Sequence, residues 1–268
     1  MHQNLSGEEM ILDNLVTRVT SVAKSMEGLK VTEQKNVVKV NSGVPSDTFN
    51  VIIPLSNDTE DSLKELSYAI QSFQTKAFPV SIWVDQRFIT NSLLNMLKEV
   101  GFEEAERNVT MKLDRLNDHQ PFEVSKKEVE IRQVQSIEDL LMYSDVLQSL
   151  FGATPEANAI DAYFKKIAPE FNYEQNDIKM YIGISENRVV STGIIVEAGK
   201  SYGIYDIATR EDVRGKGFGS TMFQYLLKQL ATPVIKPCVL QASPDGINIY
   251  KRAGFQEVGE IIVFEKNR

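Results

Sequence analysis

Three glycines and two cations stand together in the run Arg214, Gly215, Lys216, Gly217, Phe218, Gly219, Ser220. Closely spaced glycines let the backbone pass beneath a ligand with its N–H groups uncovered. Arg214 and Lys216 add full positive charges within the same turn of chain. Such a turn binds an anion, for example a pyrophosphate. Two common phosphate loops are excluded by spacing. A Walker A loop ends Gly-Lys-Ser/Thr, whereas here the lysine precedes the last two glycines. A dinucleotide fingerprint needs a third glycine where Met222 stands.

The neighbouring sequence supplies the elements that must hold this turn. Ile204, Tyr205 and Ile207 lie in a short β-prone run before it. After it, Met222, Phe223, Leu226, Leu227 and Leu230 recur at helical spacing. The order strand, turn, helix aims the positive end of the helix dipole at the site where the anion would sit. Beyond Pro233, Val239 to Ala242 reads as a strand, and Ser243 to Gly246 as a turn. A short helix carrying Tyr250 then runs into Gly254 and Phe255.

The pattern Arg-x-x-Gly-x-Gly, met by Arg214, Gly217 and Gly219, resembles the coenzyme A pyrophosphate loop of the GNAT superfamily of N-acetyltransferases. The resemblance extends in strand and helix order from about Val129 to Arg268, with sharp motifs only in RGKGFGS and YKRAGF. It implies acetyl-CoA as co-substrate, no metal, and transfer of the acetyl group to a primary amine of a small molecule or peptide. Carried over position by position, Ile207, Ala208 and Thr209 would pair with the pantetheine arm. Arg214, Gly215, Lys216, Gly217, Phe218, Gly219 and Ser220 would hold the pyrophosphate, and Ser243 and Asn248 would touch the cofactor. Tyr250 would be the general acid that protonates the departing thiolate, and Tyr205 would face the acceptor. Many relatives have asparagine where this chain has Ser243, which has less reach. Without the resemblance, the turn also reads as solvated basic residues on a glycine-rich loop, and Tyr250 as a packed ring. A non-catalytic acetyl-CoA-binding regulatory protein is the alternative function. The attacking amine wants a base, and Asp206, Glu197 and Glu211 are all near in sequence.

Composition narrows the classes. Twenty-nine Lys and Arg against 37 Asp and Glu leave a formal net charge of −8, which disfavours a nucleic-acid or anionic-membrane partner. Cys238 is the single cysteine, so no intramolecular disulfide forms, and with two histidines a zinc site of Cys and His is not expected. No apolar run approaches membrane-helix length, and the N-terminus has no signal-peptide pattern, so the expected location is the cytoplasm.

The first half reads as a degenerate version of the second. Ser6 and Glu9 make a capping box for a helix with Ile11, Leu15, Val19, Val22 and Met26 on one face. Val37 to Val40, Phe49 to Ile53 and Val80 to Val84 read as strands, and Leu63, Leu66, Ile70 and Phe73 as a helix face capped at Asp58 or Thr59. Helix, Gly-Phe and alternating strand then recur, with Gly101 and Gly254 standing 153 residues apart. Leu97 takes the place of Tyr250, and PLSNDTED takes that of the glycine loop, with carboxylates that would repel a pyrophosphate. The expected fold is α/β (α+β): two GNAT-like domains, each a central mixed, mainly antiparallel sheet flanked by helices. The boundaries are 1–116 for the degenerate domain, 117–128 for a linker and 129–268 for the catalytic domain. The chain would act as a monomer or homodimer, its first half walling the acceptor site or replacing a dimer partner.

Overall fold

A computed structural model describes residues 6–56, 60–116, 128–174, 177–230, 236–244 and 246–266. Residues 117–127 of the expected linker and the helix cap at Asp58 or Thr59 lie outside them. The chain opens with α1 (Gly7–Lys24), capped as expected: Ser6 N–H donates to Glu9 at 2.7 Å, and Glu9 N–H donates to Ser6 Oγ at 3.1 Å. There follow β1 (Lys30–Glu33), β2 (Val37–Asn41), β3 (Val51–Pro54), α2 (Glu60–Gln74), β4 (Ser81–Asp85), α3 (Asn91–Glu99) and β5 (Phe102–Leu113). The second half comprises β6 (Glu130–Gln133), α4 (Ile137–Gln148), α5 (Pro155–Ile167), β7 (Ile178–Ser185), β8 (Arg188–Glu197), β9 (Tyr202–Thr209), α6 (Phe218–Leu230), β10 (Cys238–Ala242), α7 (Ile247–Arg252) and β11 (Gln256–Lys266).

The two half-sheets expected from the sequence are fused into one sheet of 11 strands, ordered β1-β2-β3-β4-β11-β5-β10-β9-β8-β7-β6. The halves exchange their last strands. β11 pairs with β4 of the first half, Phe264 opposite Ile82, while β5 pairs with β10 of the second, Val109 opposite Ala242. β5 and β11 also pair antiparallel with each other along nearly their whole length. The internal repeat is visible in this arrangement. Gly101 (φ 84°) and Gly254 (φ 96°) both take the left-handed conformation that lets a helix turn directly into a strand. Each half also holds one parallel pair, β3 with β4 and β9 with β10, registered at only two positions each.

Alternate strand residues divide between two helical layers. Val51 and Ile53 face α1, whereas Ile52 between them faces α2 and α3. In the second half Ile194 and Val196 pack toward α1, α4 and α5, and Ile195 packs toward α6 and α7. Helix α1 thus lies across both halves. Its Asn14 is fully buried and donates to Ser201 Oγ at 3.0 Å, fastening the first half to the start of β9.

Candidate active site

The glycine turn forms the N-terminal approach to α6. Gly215 and Gly217 have φ of 77° and 85°, a region L-residues avoid. Gly219 is required for a different reason: a Cβ there would sit 3.1 Å from Thr209 Oγ1, so the turn lies directly against β9. The first intrahelical bond runs from Thr221 N–H to the Gly217 carbonyl at 2.9 Å, leaving the amides of Phe218, Gly219 and Ser220 without partners inside the helix. Phe218 contributes only its N–H, because its side chain is buried in the core. Arg214 and Lys216 are exposed and form no ion pair among the described residues. Oriented amides, a helix dipole and two unpaired cations therefore meet at one place.

Beside this turn the sheet splits. Among the described residues β9 and β10 pair only at Tyr202 with Cys238 and Gly203 with Val239, and from Ile204 onward β9 is held by β8 alone. Asp206, at φ 52°, creates a bulge at which Gly193 of β8 faces both Asp206 and Ile207. The Thr192 hydroxyl supports it by donating to the Asp206 carbonyl at 3.0 Å. Arg210 N–H donates to the Val190 carbonyl, which sets the phase of the strand end. By alternation the amides of Ile207 and Thr209 point away from β8, into the split. An extended chain laid there would find strand-type partners on Ile207 and Thr209, whereas Ala208 between them turns its backbone groups to β8.

Tyr250 stands on the α6 and α7 side of the split. Its ring meets Phe223 edge to face with centroids 4.8 Å apart. A Cβ on Gly246 would lie 3.5 Å from both the Tyr250 hydroxyl and Ser243 Oγ, so these two oxygens face one point above a bare backbone. Burial pushes the phenol up to about 12, and it remains protonated through the physiological range. Ser243 is exposed, and its carbonyl accepts from the amides of Gly246 and Ile247. Asn248 is exposed on α7.

On the opposite face a cavity of about 140 Å³ lies among α1, α4, α5 and the strands. Phe49 of the first half and Tyr163 of the second stack directly on one another at 3.7 Å in its lining, so both halves wall it. Arg18 and Asp206 are its charged lining residues, joined at 2.5 Å, and the Tyr143 hydroxyl donates to the second Asp206 oxygen at 3.4 Å. The Arg18 guanidinium also lies over the rings of Trp83 and Tyr205, 5.4 and 5.3 Å from their centroids. Tyr205 itself is buried and spends its hydroxyl on Asn14 Oδ1 at 3.0 Å, so Asp206 rather than Tyr205 lines the cavity. Of the other carboxylates, Glu197 pairs with Lys236 at 2.7 Å, and Glu211 lies in an exposed turn after β9.

Asn14 and Arg18 were not singled out by sequence reasoning, although a signal existed. They are polar residues four apart on a helix that buries Ile11, Leu15 and Val22. The buried phenols also make stability pH-dependent. Burial raises Tyr143, Tyr163 and Tyr205, and brings Tyr181 and Tyr250 to about 12, against ~10 in an unfolded chain. A raised phenol stabilises the fold fully below ~10, and that contribution is lost as pH climbs through the folded values. Thermal melts are expected to be unaffected by these groups up to about pH 9 and to fall steadily above ~10. An unchanged Tm at pH ~11.5 would contradict their burial.

Residues 176–257, which hold the glycine turn, the split strands and Tyr250, match the family model described as an acetyltransferase (GNAT) domain. This stretch is a GNAT domain. The chain is 32% identical over 97 residues to the "Uncharacterized N-acetyltransferase ycf52" of Gracilaria tenuistipitata var. liui, an alignment covering 36% of this chain and 48% of that relative. The aligned region thus spans about half the length of the curated relative. In fold, the whole chain is similar to a GCN5-related N-acetyltransferase from Kribbella flavida, with a TM-score of 0.67, 13% identity and 96% of each chain covered. It is also similar to a tandem GNAT protein from the clavulanic acid biosynthesis pathway, with a TM-score of 0.53, 8% identity and 98% of each chain covered. At such identities the likeness is one of fold, and it extends the GNAT architecture beyond the GNAT domain to the full two-part chain.

Proposed function

We propose that the chain transfers an acetyl group from acetyl-CoA to a primary amine of a small molecule or peptide. Three features of the second half support the proposal: the amide-lined turn, the split between β9 and β10, and a buried, protonated Tyr250 whose hydroxyl faces Ser243 just after β10. In this reading the turn from Arg214 to Ser220 binds the pyrophosphate, and the free edge at Ile207 and Thr209 holds the pantetheine arm and steadies the carbonyl oxygen. The amine approaches from the cavity on the far face, where Asp206 sits at the bulge. Its nitrogen bonds to the carbonyl carbon, the C–S bond breaks, and Tyr250 supplies the proton that leaves with sulfur. Residues 129–268 carry the chemistry.

The first half takes another role. Glu60 and Asp61 occupy the opening turn of α2, where they satisfy the helix dipole themselves, and Leu97 is a buried core residue. In its place as wall, this half supplies Arg18 and Phe49 to the acceptor side.

Incubation with acetyl-CoA and a panel of amines, with free thiol measured over time, tests the reading. Thiol release that depends on both partners supports it. Tight acetyl-CoA binding with no release on any amine would replace it with a regulatory, non-catalytic role.

A further inference from the structure

Taking acetyl transfer as the reaction, we infer that the acceptor is an α-amino acid with an apolar side chain, held by Arg18 and Asp206 at the edge of the aromatic cavity. The cavity fixes the side chain. An apolar cavity of roughly 150 Å³ accommodates a single benzene ring. This one, at about 140 Å³ and walled by Phe49, Leu147, Ile160, Tyr163 and Phe164, suits one ring or one branched aliphatic chain. Glycine leaves it unfilled.

The charges fix the rest of the molecule. Arg18 and Asp206 neutralise one another, so a simple monoamine would bring an unbalanced positive charge beside a guanidinium in a largely apolar enclosure. A zwitterion brings none. The pair also retains hydrogen-bonding capacity of both signs. Arg18 Nε is buried with no hydrogen-bond partner among the described residues, a donor that an incoming carboxylate reaches once the guanidinium turns toward it. Asp206 receives one bond on each oxygen, from Arg18 and from Tyr143, and a carboxylate can accept about four. An ammonium can therefore bind Asp206 without displacing either. Asp206 also stands on the bulge next to Ile207, so an amine on its carboxylate lies at the split where the thioester would be held. In the transfer, the ammonium first loses one proton to solvent through Asp206. The neutral nitrogen then forms the C–N bond, the thiolate leaves with the Tyr250 proton, and the nitrogen's surplus proton restores the phenol.

Direct binding decides the assignment independently of turnover. Calorimetry with L-phenylalanine, phenethylamine and 3-phenylpropionate is expected to show phenylalanine binding ~10- to 100-fold tighter than either analogue, each of which leaves one charged partner without its bond. Phenethylamine bound or acetylated as well as phenylalanine would overturn the inference. Arg18→Gln is expected to raise the KM for phenylalanine ~10-fold and to lower that for phenethylamine, whose ammonium then meets an Asp206 carboxylate with no guanidinium beside it. Because Arg18 also packs on Trp83 and Tyr205, that variant is checked by its melt, and the wild-type comparison stands without it. The two readings fail separately. Acetyl-CoA bound with phenylalanine ignored removes only the acceptor assignment, whereas phenylalanine bound with acetyl-CoA ignored removes the transferase reading and leaves the pocket assignment intact.

Discussion

Tyr250→Phe is expected to lower kcat for acetyl transfer by ~10²- to 10⁴-fold, the range that positioned acid–base groups supply. The substitution keeps the ring that packs against Phe223 and Phe255, so the fold and CoA affinity should be unaffected. The size of the effect follows from the phenol's environment. Held at about 12, Tyr250 is a weaker acid than a thiol near ~8.5, so a one-way proton transfer to sulfur runs uphill. The transfer becomes favourable when coupled to the proton shed by the newly acylated nitrogen, which returns to the phenol. Phenylalanine removes that relay, and the thiolate must leave unprotonated or wait for water. Steady-state rates beside a CoA titration check the result. A variant with wild-type kcat would assign the tyrosine to packing.

The second large effect concerns the exchanged strand. Deleting residues 255–268 removes β11, which lies between β4 and β5 at the centre of the sheet. Ile261, Ile262, Val263 and Phe264 are all nearly fully buried there. At ~1.5–3 kcal/mol for each buried side chain, their loss amounts to roughly 6–12 kcal/mol before any ladder hydrogen bond is counted. That is comparable with the whole stability of an ordinary domain, ~5–15 kcal/mol, even allowing that such areas overstate burial. The shortened chain is therefore expected to lose its cooperative melt in both halves. The strand exchange also predicts that residues 1–116 expressed alone do not fold, since β5 and β4 would each lack a neighbour. Circular dichroism with thermal melting reads both outcomes. A cooperative transition in the isolated first half would show that the halves are independent.

This exchange marks the limit of what the sequence discloses. Period-two alternation identifies Ala105 to Leu113 and the run after Phe255 as strands, and the matching glycines 101 and 254 identify them as counterparts. Alternation says nothing about which strand lies alongside, so β5 and β11 could equally have stayed with their own halves. Strand β1 has no clear apolar alternation, because Lys30 and Glu33 are exposed at the sheet's edge. Strand β5 begins at Phe102 although Glu103, Glu104 and Glu106 give no β signal; pairing with β11 sets its length.

The glycine turn proposed for the coenzyme was legible because its backbone conformation demands glycine. The turn at 215–219 carries its chemistry in residue type alone. The cavity proposed for the acceptor was not, because its parts come from distant segments: Arg18 from α1, Phe49 from before β3, Tyr143 and Tyr163 from α4 and α5. Asp206 was one of three carboxylates near the site in sequence. Only the bulge, with its positive φ, distinguishes it as the one facing the cavity.

The central claim is that one coenzyme site exists in this chain, formed by the turn at 214–220 and the split beside β9. Calorimetric titration of the full chain with CoA and with ADP, repeated on Gly217→Val, tests it most directly. The account predicts one CoA per chain, a clear preference over ADP, and binding weakened ~5- to 100-fold in the variant, whose β-branched residue cannot adopt φ 85° without strain of ~1–3 kcal/mol. Two equivalents of CoA per chain, or an affinity indifferent to residue 217, would contradict it.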